Sequence, residues 1–169
     1  MNKGKEINDI KIRTELKPGD LGCIINRHGE LYNREYNYGI EFESYVAEGL
    51  SEFYQNYDKK KDRVWLCENQ NEIIGFLLLM HRSNESAQLR YFYIEPEYRG
   101  IGLGSKLMKL YMKYFNRCGY KNSYLWTTSE LTAAASLYKK AGFTLTEEKP
   151  STVFGKPVIE QKYEYHNAN

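Results

Sequence analysis

Apolar and polar residues alternate from Ile10 to Leu16, a period of two that predicts a half-exposed first strand. Lys17-Pro18-Gly19-Asp20 interrupts it, and Asp20 is positioned to cap a helix starting at Leu21. Leu21, Ile24, Ile25, Leu31 and Tyr32 give that helix a rough apolar stripe, weakened at Gly29 and closed by Asn37-Tyr38-Gly39. A cleaner stripe follows in Phe42, Val46, Leu50, Phe53 and Tyr57, with Glu41, Glu48 and Glu52 opposite. After the polar turn 58–62 the period returns to strand. Val64–Glu68 and Ile73–His81 form a hairpin about Asn69-Gln70-Asn71, and Gln88–Ile94 follows the turn 82–85.

Pro96 ends that third strand, and Arg99-Gly100-Ile101-Gly102-Leu103-Gly104-Ser105 opens an amphipathic helix carrying Leu107, Leu110, Tyr111 and Tyr114. Gly119 stops it, and a strand follows at 123–127. Thr127-x-x-Glu130 is a candidate capping box for a helix lined by Leu131, Ala134, Ala135 and Tyr138 and ended by Gly142. Two last strands, 143–147 and 158–165, flank a loop at 149–157. Hairpins in the middle and a helical crossover after the glycines predict an α/β (α+β) fold, a mixed and mostly antiparallel sheet flanked by helices.

The chain has 169 residues, read as one domain over 1–169, with residues 1–8 expected to be flexible. Its 24 basic and 22 acidic side chains are interspersed, and a net charge of +2 gives no nucleic-acid footprint. Cys23, Cys67 and Cys118 are too scattered for a disulfide framework or a metal site, so no metal is expected. The run 73–80 is far short of the roughly 20 apolar residues of a membrane span. The N-terminus lacks a signal-peptide core. No membrane partner and a cytoplasmic location are expected.

Glycines before a helix start suit an anion, because backbone amides there are unobstructed and point outward. Three phosphate loops compete for this stretch. A P-loop needs lysine directly after its last glycine, where this chain has Ser105. A dinucleotide fingerprint needs G-x-G-x-x-G straight after a strand in a βαβ unit, and this chain has G-x-G-x-G behind a proline. The pattern that remains is Arg99-x-x-Gly102-x-Gly104.

That pattern resembles the acyl-CoA-binding motif of GNAT-type N-acetyltransferases, and Tyr138-Lys139-Lys140-Ala141-Gly142-Phe143 resembles a second signature of that family. The element order matches it over nearly the whole chain. Residues 17–22, 27–32 and 35–36, with Phe154-Gly155 and Gln161, are similar to the acetyltransferase module often fused behind MarR-type regulators. The chain has no room for a DNA-binding domain, so no regulatory role is carried over. The resemblance implies acetyl-CoA as co-substrate and direct transfer of its acetyl group to a primary amine. A small-molecule acceptor is the leading expectation. The alternatives are a protein N-terminus or lysine, reached through a groove beside residues 149–157, and a non-catalytic CoA-sensing module. Homodimers are common in the family.

The resemblance also assigns residues. Amides of Phe92, Tyr93 and Ile94 would pair with the pantetheine arm, and those of Arg99, Gly100, Ile101, Gly102, Leu103, Gly104 and Ser105 would take the pyrophosphate. The Arg99 side chain either adds a charged contact or braces the loop. Tyr138 matches the tyrosine that protonates the departing sulfur. Leu131 stands where an asparagine is often found, so a contact from that helix to the pantetheine is not expected. A primary amine with a pKa near 10.4 costs about 4–5 kcal/mol to neutralise at pH 7, so a proton path must adjoin the cleft. Strand residue Glu95 is expected to lie outside it. Candidates on the first two helices are Glu30, Glu43, His28, Tyr36 and, foremost, Glu35 as base or acceptor anchor. Six glutamates against Arg34 in residues 30–52 suit a cationic acceptor.

Overall fold

The computed structural model describes residues 6–168. Its elements are β1 (Lys11–Arg13), α1 (Asp20–Tyr36), α2 (Ile40–Gln55), β2 (Arg63–Asn69), β3 (Glu72–Arg82), β4 (Ser86–Ile94), α3 (Leu103–Arg117), β5 (Asn122–Thr128), α4 (Thr132–Lys140), β6 (Thr144–Ser151) and β7 (Val158–His166). Residues 1–5 of the segment expected to be flexible lie outside the described residues, and Ile7–Asp9 form one 3-10 turn. The seven strands make one sheet in the order β1-β2-β3-β4-β5-β7-β6. Only β4 and β5 pair in parallel, through the α3 crossover; every other neighbouring pair is antiparallel. This is the mixed, mostly antiparallel sheet that the pattern predicts.

Both faces of the sheet are covered, which explains why Ile73–Met80 is almost uniformly apolar. Leu77, Leu79, Leu89 and Leu125 face Leu107, Tyr111, Phe115 and Tyr138 from α3 and α4. Leu66, Phe76, Leu78 and Tyr93 face Ile24, Leu31, Phe42, Val46 and Leu50 from α1 and α2. Each such aliphatic side chain, fully buried, contributes about 1.5–3 kcal/mol. β6 is different: seven of its eight residues are exposed, and Glu147, Glu148, Lys149 and Pro150 guard this edge against pairing with another chain.

Four local expectations are corrected. The first strand is only three residues long, because Arg13 turns to bond Glu68 and Asp20 and draws the chain toward α1. Asp20 is not a cap. Gly19 takes that position at φ 95°, while the Asp20 carboxylate accepts the Lys17 N–H at 2.6 Å and Arg13 at 2.7 and 3.0 Å. The capping box at Thr127 does not form, since Thr127 and Thr128 stay in β5 and α4 starts behind Leu131. Glu130 instead accepts from Lys156 at 2.7 Å and from the Tyr38 hydroxyl at 3.2 Å. Finally, β6 runs on to Ser151, which shortens the last loop to residues 152–157.

Candidate active site

The site arises where two strands part. β4 and β5 pair only at Ser86–Asn122, Ala87–Ser123 and Gln88–Tyr124, after which β5 stays with β7 along its whole length. Beyond Gln88 the edge of β4 therefore has no strand neighbour, and a cleft opens between it, α1 and α4. A β-bulge lies at this point. Phe76 pairs with Tyr93 but Leu78 with Arg90, so Tyr91 and Phe92 together oppose one residue of β3, and Tyr91 adopts φ 57°. A bulge re-aims side chains. Leu89, Phe92 and Ile94 point toward α3, whereas Tyr91 and Tyr93 point toward α1.

The outer chamber, about 1230 Å³ including its open mouth, runs along Phe92, Tyr93 and Ile94 to Gly100, Gly102, Gly104 and Ser105. Gly100 and Gly102 have φ of 78° and 89°, a region that side chains rarely tolerate, and Gly102 precedes α3 with no side-chain cap. The first helical bond runs from Lys106 N–H to the Gly102 carbonyl, and the first turn holds no acidic residue. The amides of Leu103, Gly104 and Ser105 thus form an uncapped helix start that favours an anion. Gly104 is required for another reason: an added Cβ would lie 2.8 Å from Leu137 of α4, where the helices close on each other. The side chains of Ile101 and Leu103 turn into the core, leaving only their backbone for a ligand.

Arg99 braces the loop. Its Nε donates to the Ile94 carbonyl at 3.0 Å, and Nη1 donates to both Glu35 carboxylate oxygens at 3.0 and 3.1 Å. Glu35 therefore lines the outer chamber, tied to the loop arginine, rather than the chamber of Tyr138.

The inner chamber, about 730 Å³ including its mouth, is walled by rings from five elements and two loops. Tyr32, Phe92 and Leu131 border both chambers and mark the passage between them. Tyr138 lines the inner side at 5% exposure, and its hydroxyl has no hydrogen-bond partner among the described residues. Burial, with Tyr163 adding, raises its pKa well above that of an ordinary phenol, so it is protonated at neutral pH. Tyr32 is shifted the same way, by burial first and then by Tyr138 beside it. His28 is 2% exposed and ringed by Tyr32, Phe42, Phe76, Tyr91 and Tyr93. Burial lowers its pKa to about 4, so it is neutral, and Nδ1 lies 3.0 Å from the Ile24 carbonyl it can donate to.

The candidates from the first two helices separate accordingly. His28 faces the inner chamber, Glu35 and Tyr36 face the outer one, and Glu30 and Glu43 line neither. Glu43 lies over Gly29 instead. Glu95 is paired to Arg27 at 2.9 Å, away from both chambers. Sequence reasoning missed Tyr32, Arg90, Glu160 and Phe154. Tyr32 and Phe154 stood in the family-like motifs without a site role, and Arg90 carried a signal of its own, a charge inside a largely apolar strand.

The loop 152–157 closes the inner chamber against the α1–α2 turn. Gly39 N–H donates to the Phe154 carbonyl at 2.8 Å, Phe154 stacks on Tyr38 at 5.3 Å, and Lys156 donates to the Tyr36 carbonyl at 3.0 Å. No group of three or more His, Cys, Asp or Glu side chains that could hold a metal occurs among the described residues. Nor is any helix among them long and apolar enough to cross a membrane.

Comparison with known proteins matches residues 26–143 to the acetyltransferase (GNAT) family. The N-acetyltransferase YjgM of Escherichia coli is 33% identical over 97 residues, 56% of this chain and 58% of that protein. Mycothiol acetyltransferase of Corynebacterium glutamicum strain R is 30% identical over 89 residues, 53% of this chain and 30% of that protein. The chain thus spans less than two thirds of the length of these curated relatives. Among solved structures, a GNAT-family acetyltransferase from Staphylococcus aureus Mu50 superposes with a TM-score of 0.74 at 20% identity, covering 93% of this chain and 98% of that one. A GNAT family acetyltransferase from Elizabethkingia anophelis, solved with acetyl-CoA bound, gives 0.65 at 16% identity, covering 95% and 99%. At these identities the likeness speaks for the fold.

Proposed function

The chain belongs to the acetyltransferase (GNAT) family, and from that premise we propose that it moves the acetyl group of acetyl-CoA directly to a primary amine on a small molecule. The observation that carries the cofactor assignment is the uncapped start of α3 behind two left-handed glycines, continuous with the unpaired edge of β4. One end suits a pyrophosphate, and the other suits an extended amide-bearing arm. When bound, acetyl-CoA supplies an activated thioester carbonyl and a thiol leaving group.

The chain's own residues then have definable tasks. The backbone of Phe92–Ile94 orients the arm, and the amides from Gly100 to Ser105 hold the phosphates; the Arg99 N–H, expected from the sequence to join them, instead donates to the Pro96 carbonyl at 3.2 Å. The Glu35 carboxylate, neutralised by Arg99, acts as anchor of that loop. Tyr138 carries a proton on a hydroxyl that no group among the described residues claims, and it can hand that proton toward the departing sulfur. The neutral His28 and the Glu160 carboxylate, both on the inner wall, adjoin the path by which the amine sheds its proton.

The strap of Phe154 and Lys156 onto the α1–α2 turn supports a small acceptor over a peptide, because it ties the loop to the helices at that side of the inner chamber. The likeness to the module of MarR-type regulators remains part of this reading, resting on the motifs of α1. Three free thiols fit the reducing cytoplasm in which we expect it to act. The test is thiol release from acetyl-CoA over a panel of amines and peptides, with CoA binding followed by calorimetry. Release with small amines alone is expected. Release with peptides alone would favour the protein acceptor, and binding without release would favour a sensor.

A further inference from the structure

Two charged side chains, Arg90 and Glu160, line the inner chamber, and Arg90 is left incompletely matched by its own protein. Arg90 projects from β4 toward α2 with 10% of its side chain exposed. Its guanidinium lies over the rings of Tyr91 at 4.7 Å and Tyr45 at 5.4 Å. It crowds Gly49 so closely that an added Cβ would sit 2.6 and 2.8 Å from two of its nitrogens. The nearest carboxylate is Glu52, at 3.9 Å, beyond hydrogen-bond distance. That carboxylate is already taken by Arg82 at 2.6 Å, and the Arg82 hydrogen bond is the main cause holding it below its ordinary pKa. Arg82 also donates twice to Gln88, at 2.9 and 2.7 Å. Two guanidinium groups therefore share one carboxylate, and the closer pair belongs to Arg82.

Arg90 has five N–H donors and no side-chain hydrogen bond among the described residues, and its own side chain is 10% exposed. A cation largely withdrawn from water and without a hydrogen bond is costly unless an anion completes it. A second orphan stands in the same corner: the Tyr91 hydroxyl, which also crowds Gly49, is buried without a partner. The bulge brings them together, because it turns Tyr91 to the face that Arg90 already occupies. A non-glycine residue at φ 57° within a strand is strain of the kind retained at functional sites.

We propose that this corner receives the carboxylate of the acceptor, which is therefore an amine of the amino-acid class. The inference rests on the acetyl-transfer reading above. A planar guanidinium takes a planar carboxylate through two parallel N–H···O bonds. A phosphate, with more charge and more acceptor oxygens, would find one guanidinium among aromatic rings. Phe42, Tyr45, Val46 and Phe154 around it suit an apolar or aromatic side chain, and the amine is left to face the passage beside Tyr138.

The experiment compares each of the common L-amino acids with its own amide as acceptor, in the wild-type chain and in Arg90→Gln. Accepted acids should outrun their amides by about 30-fold or more in kcat/KM. Arg90→Gln should lower the acid's kcat/KM about 100-fold through KM, change the amide's less than threefold and leave calorimetric CoA affinity unaltered. Arg90→Lys keeps the charge but loses the fork; should Arg90→Gln fail to fold, it should still raise KM for the acid alone. Equal use of acid and amide, or equal damage to both by either variant, overturns the inference and leaves acetyl transfer standing. Loss of CoA binding in the wild type, or no thiol release with any amine, overturns the acetyl-transfer reading and this inference with it.

Discussion

The two chambers of one cleft are built by opposite strategies. The outer one offers a ligand mainly backbone: consecutive amides from Gly100 to Ser105 and the free edge of β4 come from about fifteen neighbouring residues, with α1 and α4 closing its sides. The inner one is side chain: Tyr32, Phe42, Arg90, Trp126, Tyr138, Phe154 and Glu160 come from segments spread over more than a hundred residues. A ligand with an invariant phosphate tail suits the first, because amides and glycines do not vary with side-chain chemistry. A variable acceptor suits the second, because each ring or charge can be exchanged separately. Conserving a tail and diversifying a pocket thus become physically separable tasks within one fold.

That contrast can be broken or sharpened by experiment. The largest effect is expected at Gly102, where a glutamate would bring both bulk at φ 89° and negative charge to the uncapped helix start. Gly102→Glu should weaken CoA binding by about 1000-fold, equivalent to about 4 kcal/mol, with the circular dichroism spectrum retained. Calorimetry reads this directly, and unchanged affinity would move the cofactor elsewhere.

The next effect belongs to the inner chamber and depends on pH. Folding holds His28 neutral, with its pKa lowered from 6.5 to about 4 by burial. Between those values the unfolded chain takes up a proton that the folded chain refuses. Its contribution is therefore complete above about pH 6.5 and is lost as pH falls toward 4, by about 3 kcal/mol in all. Urea midpoints measured from pH 7 to 4 should fall accordingly, and His28→Gln should flatten the fall. Nothing comparable is expected from the exposed outer loop.

Tyr138→Phe should reduce turnover about 10- to 100-fold while leaving CoA affinity within a factor of two. Equal losses in both would make Tyr138 a packing residue. The smallest effect is expected from Glu35→Gln, which loosens the brace on Arg99 at a partly exposed position and should cost about threefold in CoA affinity with kcat unchanged. A large fall in kcat instead would return Glu35 to the role of base.

The glycine loop was legible because its requirements are local. Positive φ at Gly100 and Gly102 and an open helix start follow from residue type and spacing, whatever lies around them. Where a side chain had two plausible local partners, sequence reasoning failed. Asp20 and Thr127 look like caps, yet Asp20 is claimed by Arg13 and Thr127 stays within β5. Glu35 could be given a place on α1 but not a partner, since Arg99 stands 64 positions away. Arg90 was passed over, because the sequence does not show whether a strand charge faces solvent, a carboxylate or a cavity.

Periodicity and glycine spacing by themselves determined the order of elements and the open, glycine-rich start of α3, since each depends on contacts within a few residues. Only the tertiary structure decided where β4 leaves β5, where the bulge at Tyr91 re-aims the chain, and which rings close the inner chamber. Those outcomes depend on how two helices and a distant loop compete to cover one sheet edge. That competition is settled by packing, and no local pattern encodes it.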